Sequence, residues 1–284
     1  MIWRTKITEI IGCKYPILLG AFAGYDNSLL TAEISDAGAF GVLTASSFEN
    51  TDKFRSALQY IKGRTTNPFG INFSAPTDIK PGHLFYDFLE IAYDEGINTI
   101  ITAAAKIQQF GKRIKEYGMT WIHKVTTMKH AISGEKMGAD AIIITGLEGG
   151  GLKNPKQNTF LINLVNAKRL LNLPIIASGG ISTGKSILAA LILGADAVHA
   201  CTIFLAAKES PIPDQWKQEI IETDCFNPEF IKKVYHFESD KPKYTGMSMA
   251  IGTIQEIKPV KQIIMELVNE AENSLKAFCK ERNR

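Results

Sequence analysis

Cysteine is scarce in this chain: Cys13, Cys201, Cys225 and Cys279 are the only four in 284 residues. They lie far apart without metal-ligand spacing, and they read as reduced thiols of a cytoplasmic protein. Histidine is almost as sparse, at five, and no His, Cys, Asp and Glu set has metal-ligand spacing, so no metal is expected. Long apolar runs are also missing. None could cross a bilayer, and the first sixteen residues lack the apolar core of a secretory signal, so no membrane partner is expected. Charge of one sign is lacking too: 32 Lys and Arg against 29 Asp and Glu leave a net +3, dispersed along the chain. That balance gives no footing for nucleic acid or an anionic membrane surface. What remains, 45% hydrophobic and 21% charged residues, suits a soluble globular enzyme with a sizeable core.

The chain has instead an almost unbroken alternation of short apolar runs and amphipathic stretches. Strands are expected at Pro16–Gly20, Gly41–Leu43, Phe69–Phe73, Thr99–Thr102, Thr120–Val125, Ala141–Ile144, Pro174–Ala177 and Ala197–Ala200. Helical patterns fall near Leu29–Ala37, Lys53–Lys62, Leu84–Glu95, Ile107–Tyr117, Met128–Met137, Phe160–Leu171 and Lys185–Leu193, several followed by Gly. Strand–helix alternation of this length predicts an α/β fold with a parallel sheet closed into a (β/α)₈ TIM barrel; an open doubly wound sheet is the alternative. The echo of Gly138-Ala139-Asp140-Ala141 in Gly194-Ala195-Asp196-Ala197 marks equivalent helix-to-strand turns. After Phe204 the pattern loosens. Residues 1–208 are read as the barrel, and 209–284 as a C-terminal excursion, with a helix near Gln215–Glu222, and a long terminal helix over Ile257–Lys280 that together complete it.

Chemistry concentrates between Leu173 and Phe204. There a strand ends in Ser178-Gly179-Gly180, a helix follows, and a second strand ends in Cys201-Thr202. Paired glycines after a strand let the backbone turn tightly and aim its N–H groups outward, and the next helix N-terminus adds partial positive charge. Late in a barrel this is where a phosphorylated ligand is held. Gly179–Ser186 also satisfies the P-loop pattern, with Lys185 and Ser186 in place. A P-loop on a late strand, with no later apolar strand ending in Asp, is the weaker reading. A barrel aldolase or isomerase acting on a sugar phosphate is another.

The other strand ends carry few acid–base groups: Gly20-Ala21-Phe22, Ala45-Ser46, Asn72-Phe73, Ala103-Ala104, Lys124 and the loop Thr145–Asn154. No Ser–His–carboxylate set is legible. A phosphate site, a polar amide, one lysine and small residues around a flat space suggest that a bound cofactor carries the hard chemistry. Lys124 lies in an apolar strand, where a cation is costly unless paired. It either pairs with Glu148 or stabilises an anionic substrate or reduced cofactor. His123 and His199, inside strands, read as packed rather than catalytic.

At these residues the chain resembles the nitronate monooxygenase (2-nitropropane dioxygenase) family and its relative, the flavin-dependent enoyl-acyl carrier protein reductase. The resemblance is carried by Tyr15-Pro16-Ile17, Ala37-Gly38-Ala39-Phe40-Gly41, Asn67-Pro68-Phe69-Gly70-Ile71-Asn72, Gly146-x-Glu148-Gly149-Gly150-Gly151, Ala177-x-Gly179-Gly180-Ile181 and Thr202-x-Phe204. It implies a barrel holding FMN. Asn72 would meet the flavin, Ala21 and Phe22 would pass along it, and Gly150-Gly151, Gly179-Gly180 and Cys201-Thr202 would serve its phosphate. Ser178, Glu148 and Lys124, within or beside the same motifs, join that cofactor-binding set.

The chain also departs from the family. The histidine that acts as base on nitroalkanes after the Glu-x-Gly-Gly run is here Leu152, followed by Lys153-Asn154, and the family's Gln in the first strand is Leu19. A nitronate, already deprotonated, needs no such base. The expectation is an FMN-dependent monooxygenase taking alkyl nitronates and O₂ to a carbonyl compound and nitrite, with Lys124 and Lys153 holding the anion. An NAD(P)H-dependent enoyl-thioester reductase is the alternative, and a flavin- or phosphate-binding sensor without turnover is a third. A homodimer is compatible with all three.

Overall fold

Runs of β-branched and other apolar residues become strands because both of their faces are covered, as in Ala141–Thr145, which is buried along its whole length. The computed structural model describes residues 3–75, 79–103, 107–236, 241 and 243–281. Its strands are β1 (Ile17–Leu19), β2 (Gly41–Thr44), β3 (Phe69–Ser74), β4 (Thr99–Ala103), β5 (Thr120–Val125), β6 (Ala141–Thr145), β7 (Gly151–Lys153), β8 (Ile175–Ser178), β9 (Ala197–Ala200) and β10 (Lys243–Thr245). Eight of them form one sheet in the order β1-β9-β8-β6-β5-β4-β3-β2, and every pairing is parallel. The two ends of that sheet meet. Leu18 bridges Phe40, the Phe40 N–H donates to the Ile17 carbonyl at 2.8 Å, and the Leu19 N–H donates to Phe40 at 2.9 Å. The sheet is therefore a closed (β/α)₈ barrel, and the open doubly wound alternative is excluded.

Every expected strand and helix is present, with ends shifted by at most three residues. Helix Val260–Glu281 packs against Gly184–Ile192 on one side and Ser28–Asp36 on the other, the place of an eighth barrel helix. The approach to Gly184 is close: a Cβ there would stand 2.3 Å from the Leu267 carbonyl oxygen. The excursion between β9 and this helix has a small core of its own, built from Ala206, Ile212, Ile220, Cys225, Phe230, Val234, Ile251 and Ile254. Phe22 and Tyr25, from the loop after β1, pack onto that core, so the excursion leans over the C-terminal mouth. β7 and β10 make a separate antiparallel ribbon there. Among the described residues no helix is long and apolar enough to cross a membrane, and no cluster of His, Cys, Asp and Glu could hold a metal ion.

Candidate active site

Which side chains enter the barrel follows from its register. A Cβ on Gly134, in helix Met128–Lys136, would meet His123 at 3.0 Å and Ile142 at 2.8 Å, so these two residues face the helix layer. Successive residues of a strand alternate faces; Lys124, Ile122, Ile143 and Thr145 therefore face inward. Register carries that face onward, from Ile122 through Ile101 to Asn72, and from Thr145 through Ser178 to His199. Barrel strands are staggered, so residues from alternate strands share a level. Following the pairs around the barrel brings Gly20, Asn72, Lys124 and Ser178 together as the uppermost inward layer at the C-terminal mouth.

This layer is polar and largely unpartnered. Asn72 is buried; its Oδ1 accepts from the Ser74 hydroxyl at 2.6 Å, while its Nδ2 has no partner. Lys124 is half-buried and forms no ion pair with any described residue, Glu148 included. Burial pulls its ammonium pKa down, and the nearby Cys201 thiol opposes that. Just beneath, His199 is bound through Nδ1 to Ser178 Oγ at 3.1 Å, and its Nε2 is buried without a partner. Burial first, and Lys124 second, hold that imidazole well below its ordinary pKa, so it is neutral. The Thr44 and Thr145 hydroxyls, inward on β2 and β6, are also buried and unpartnered. A floor with donors at Asn72 and Lys124, and no inward carboxylate among these residues, suits a flat ligand with an acceptor-rich edge.

The phosphate loop is built as expected at Gly179 and Gly180, which have φ of 101° and 71°. A Cβ on Gly179 would stand 3.0 Å from the Gly146 carbonyl oxygen and the Gly149 nitrogen, so the loops after β6 and β8 touch there. The N–H groups of Gly180 and Ile181 donate to no described residue. The helix that follows is a different matter. The Gly184 N–H donates to Glu270 at 2.6 Å, and Thr183 and Ser186 form a reciprocal capping box. Its N-terminus is thus closed by protein, which corrects the expectation that it adds to the cradle. The same contacts remove the P-loop reading, since the Ser186 hydroxyl donates to the Thr183 carbonyl and Lys185 is exposed.

The other expected site residues are placed as follows. The Thr202 hydroxyl shares a hydrogen bond with Ser248 at 2.9 Å, tying the end of β9 to the excursion rather than standing free. Cys201 lies beside the loop after β1: a Cβ on Gly20 would fall 2.5 Å from the Cys201 Cβ, and the Cys201 thiol lies 3.9 Å from the Ala21 carbonyl. Phe22 is half-buried between the barrel and the excursion. Gly150 packs beneath Met247, whose carbonyl oxygen would be 3.1 Å from an added Cβ, and Gly151 opens β7 opposite Thr245. Glu148 accepts the Phe160 N–H at 3.1 and 2.8 Å and so caps helix Phe160–Leu170, far from an ion pair with Lys124. Lys153 is buried, and its ammonium donates to the Leu147 and Gly149 carbonyls, stapling the loop. Burial lowers its pKa to about 8 against the pull of Glu148. Held in this way it is not available as a second cation for a ligand, contrary to expectation.

Several residues of this region were not foreseen. Gln157 donates to the Thr145 and Gly146 carbonyls, each at 3.0 Å, and Asn163 donates to Thr145 at 3.2 Å, fixing the loop after β6. His199 faces the barrel interior, whereas His123 faces outward and bonds Thr102 Oγ1 at 2.9 Å.

Comparison with known proteins agrees with this geometry. The family model described as Nitronate monooxygenase matches residues 4–237, and the chain belongs to that family. A Mycobacterium tuberculosis protein named (3aS,4S,5R,7aS)-5-hydroxy-7a-methyl-1-oxo-octahydro-1H-indene-4-carboxyl-CoA dehydrogenase is 33% identical over 220 residues, 77% of this chain and 60% of that relative. The chain thus matches less than two-thirds of that protein's length. A probable nitronate monooxygenase of Staphylococcus aureus is 27% identical over 89% of this chain and 86% of its own length. Among solved structures, FabK from Thermotoga maritima superposes with a TM-score of 0.83 at 26% identity, covering 98% of this chain and 99% of that one. A nitroalkane oxidase from Streptomyces ansochromogenes shares the fold, with a TM-score of 0.78 at 21% identity over 96% of this chain and 99% of that one. Membership of that family and the names of these relatives support a flavin-dependent oxidoreductase. The donors of the barrel floor and the glycine loop fit a flavin.

Proposed function

We propose that the enzyme oxidises small alkyl nitronates with FMN as its cofactor and O₂ as the acceptor, releasing a carbonyl compound and nitrite. The observation that carries this reading is the pairing of an unpaired cation, Lys124, at the barrel mouth with an apolar residue, Leu152, where the family places its base. Removing a proton from the carbon of a neutral nitroalkane wants a base with a pKa near the working pH. His199, the inward imidazole, is held neutral and far too weak. A nitronate arrives already deprotonated and needs its negative charge held, which Lys124 can do.

Bound FMN would supply the redox capacity that no side chain here has. The Gly179–Ile181 loop would take its single phosphate, with no dinucleotide fingerprint to hold a second nucleotide half. Asn72 and Lys124 would face the acceptor edge of its ring, and Ala21 and Phe22 would flank it. Lys124 would serve twice in this arrangement, orienting the anionic substrate and favouring negative charge on the bound ring. Nitrite release from a preformed nitronate, set against that from the same compound supplied as the neutral nitroalkane, tests the reading. The nitronate alone should be turned over, and equal rates on the two forms would contradict it.

A second reading is NAD(P)H-dependent reduction of an enoyl thioester. It is favoured by the 33% identical relative, whose name specifies a carboxyl-CoA compound.

A further inference from the structure

The ribbon of β7 and β10 sits on the loop after β6, at the face where the barrel opens. Its register sets Tyr244 directly opposite Leu152, with Lys243 opposite Lys153 and Thr245 opposite Gly151. Faces alternate along each strand. Lys153 and Thr245 are buried, whereas Leu152 is 54% and Tyr244 72% exposed, so these two share the ribbon's open face. Side chains directly opposite in an antiparallel pair stand about 5 Å apart at Cβ. The Tyr244 ring therefore reaches the space that a longer, polar side chain at position 152 would occupy. Its hydroxyl bonds no described residue.

The position of Cys201 relates this ring to the barrel floor. The Cys201 thiol, pushed up to about 11 by burial, is pulled the other way by Lys124. The same thiol, after burial, opposes ionisation of the Tyr244 phenol. Lys124 and Tyr244 thus both interact electrostatically with one residue at the end of β9. The phenol keeps its proton through the neutral range, as a hydrogen-bond donor and not as a base.

We propose that Tyr244 is a substrate-binding residue whose phenol donates a hydrogen bond to an acceptor oxygen of the substrate held over Lys124, in the place left by the polar side chain absent at Leu152. The chemistry recognised is an oxygen bearing full or partial negative charge, in a nitronate or a thioester carbonyl; Leu152 beside it offers an apolar surface to the substrate's carbon chain. The inference rests on the nitronate reading only for which of the two it is.

The test uses the flavin-loaded enzyme and its Tyr244→Phe variant, which loses one hydroxyl from an exposed ring. Each is titrated with butyrate, which has a nitronate's charge and paired oxygens but cannot be oxidised by the same route, and separately with butyryl-CoA. Binding is read calorimetrically and from the visible spectrum of the flavin. The expected result is a roughly tenfold weaker butyrate dissociation constant in the variant, about 1.4 kcal/mol, with flavin affinity unchanged. If the wild type binds only butyryl-CoA and the variant binds it tenfold less well, Tyr244 keeps its role and the nitronate reading falls. Equal binding by both enzymes of whichever probe is bound, or no binding of either probe by the wild type, overturns the proposal.

Discussion

Ser178 Oγ and His199 Nδ1 lie 3.1 Å apart inside the barrel, and this contact fixes an imidazole whose other nitrogen is buried without a partner. The pair belongs to adjacent strands in register, so its geometry is set by the barrel itself and not by a loop. His199→Leu would leave the Ser178 hydroxyl without its partner, and a buried polar group so stranded costs about 1–3 kcal/mol. Urea unfolding of this variant should show a lower midpoint. His199→Gln, which can still reach Ser178, should recover most of the loss and retain nitronate turnover.

Lys124 carries the electrostatic part of the proposed mechanism. Lys124→Met keeps the length of the side chain and removes the charge. Turnover of an anionic substrate should fall at least tenfold, a loss of about 1.4 kcal/mol, while the flavin remains bound. Unchanged turnover would leave Lys124 with a packing role alone.

On the proposed reading, the apolar residue at position 152 confines the enzyme to substrates that are already deprotonated. Leu152 is exposed on the ribbon's open face, so an imidazole would be accommodated without repacking. Leu152→His should gain activity on neutral nitroalkanes while its activity on nitronates changes little. Steady-state nitrite release on each form of one compound measures both. No gain on the neutral form would show that the open face is not turned to the substrate.

Buried histidine makes stability fall in acid. His123 is held at about 4, by burial first, against an unperturbed 6.5. Below pH 6.5 the unfolded chain takes up a proton that the folded one refuses, so the contribution of His123 is full above that pH and is lost as pH falls towards 4. Between pH 7 and pH 5 this amounts to about 2 kcal/mol. His123→Gln should flatten the pH dependence of urea unfolding by about that amount, and an equally steep variant would contradict it.

Much of the fold was legible because its signals are local: apolar runs of strand length, amphipathic stretches and glycines at helix ends. The ribbon was not, because β7 and β10 are three residues each, with partners such as Leu152 and Tyr244 far apart in the chain. The site was legible in part. Asn72, Lys124, Ser178 and the Gly179-Gly180 loop could be picked as strand ends, since a barrel gathers those ends at one mouth. The roles of Glu148, Lys153 and Thr202 could not. Glu148 caps a helix twelve residues on, and Gly184 is closed by Glu270, eighty-six residues away. Facing was hidden as well. In a strand buried on both sides nothing alternates to mark the inner face, so His123 and His199 read alike until the register separated them.

The most direct test is anaerobic. The flavin-loaded enzyme is mixed separately with a primary alkyl nitronate, NADH, NADPH and an enoyl thioester, and the visible absorbance of the flavin is followed. Rapid bleaching by the nitronate, with slow or no bleaching by the nicotinamides and none by the enoyl thioester, is the expected result. Bleaching by NADH or NADPH and not by the nitronate would contradict nitronate oxidation, and return of the colour on adding the enoyl thioester would support thioester reduction instead.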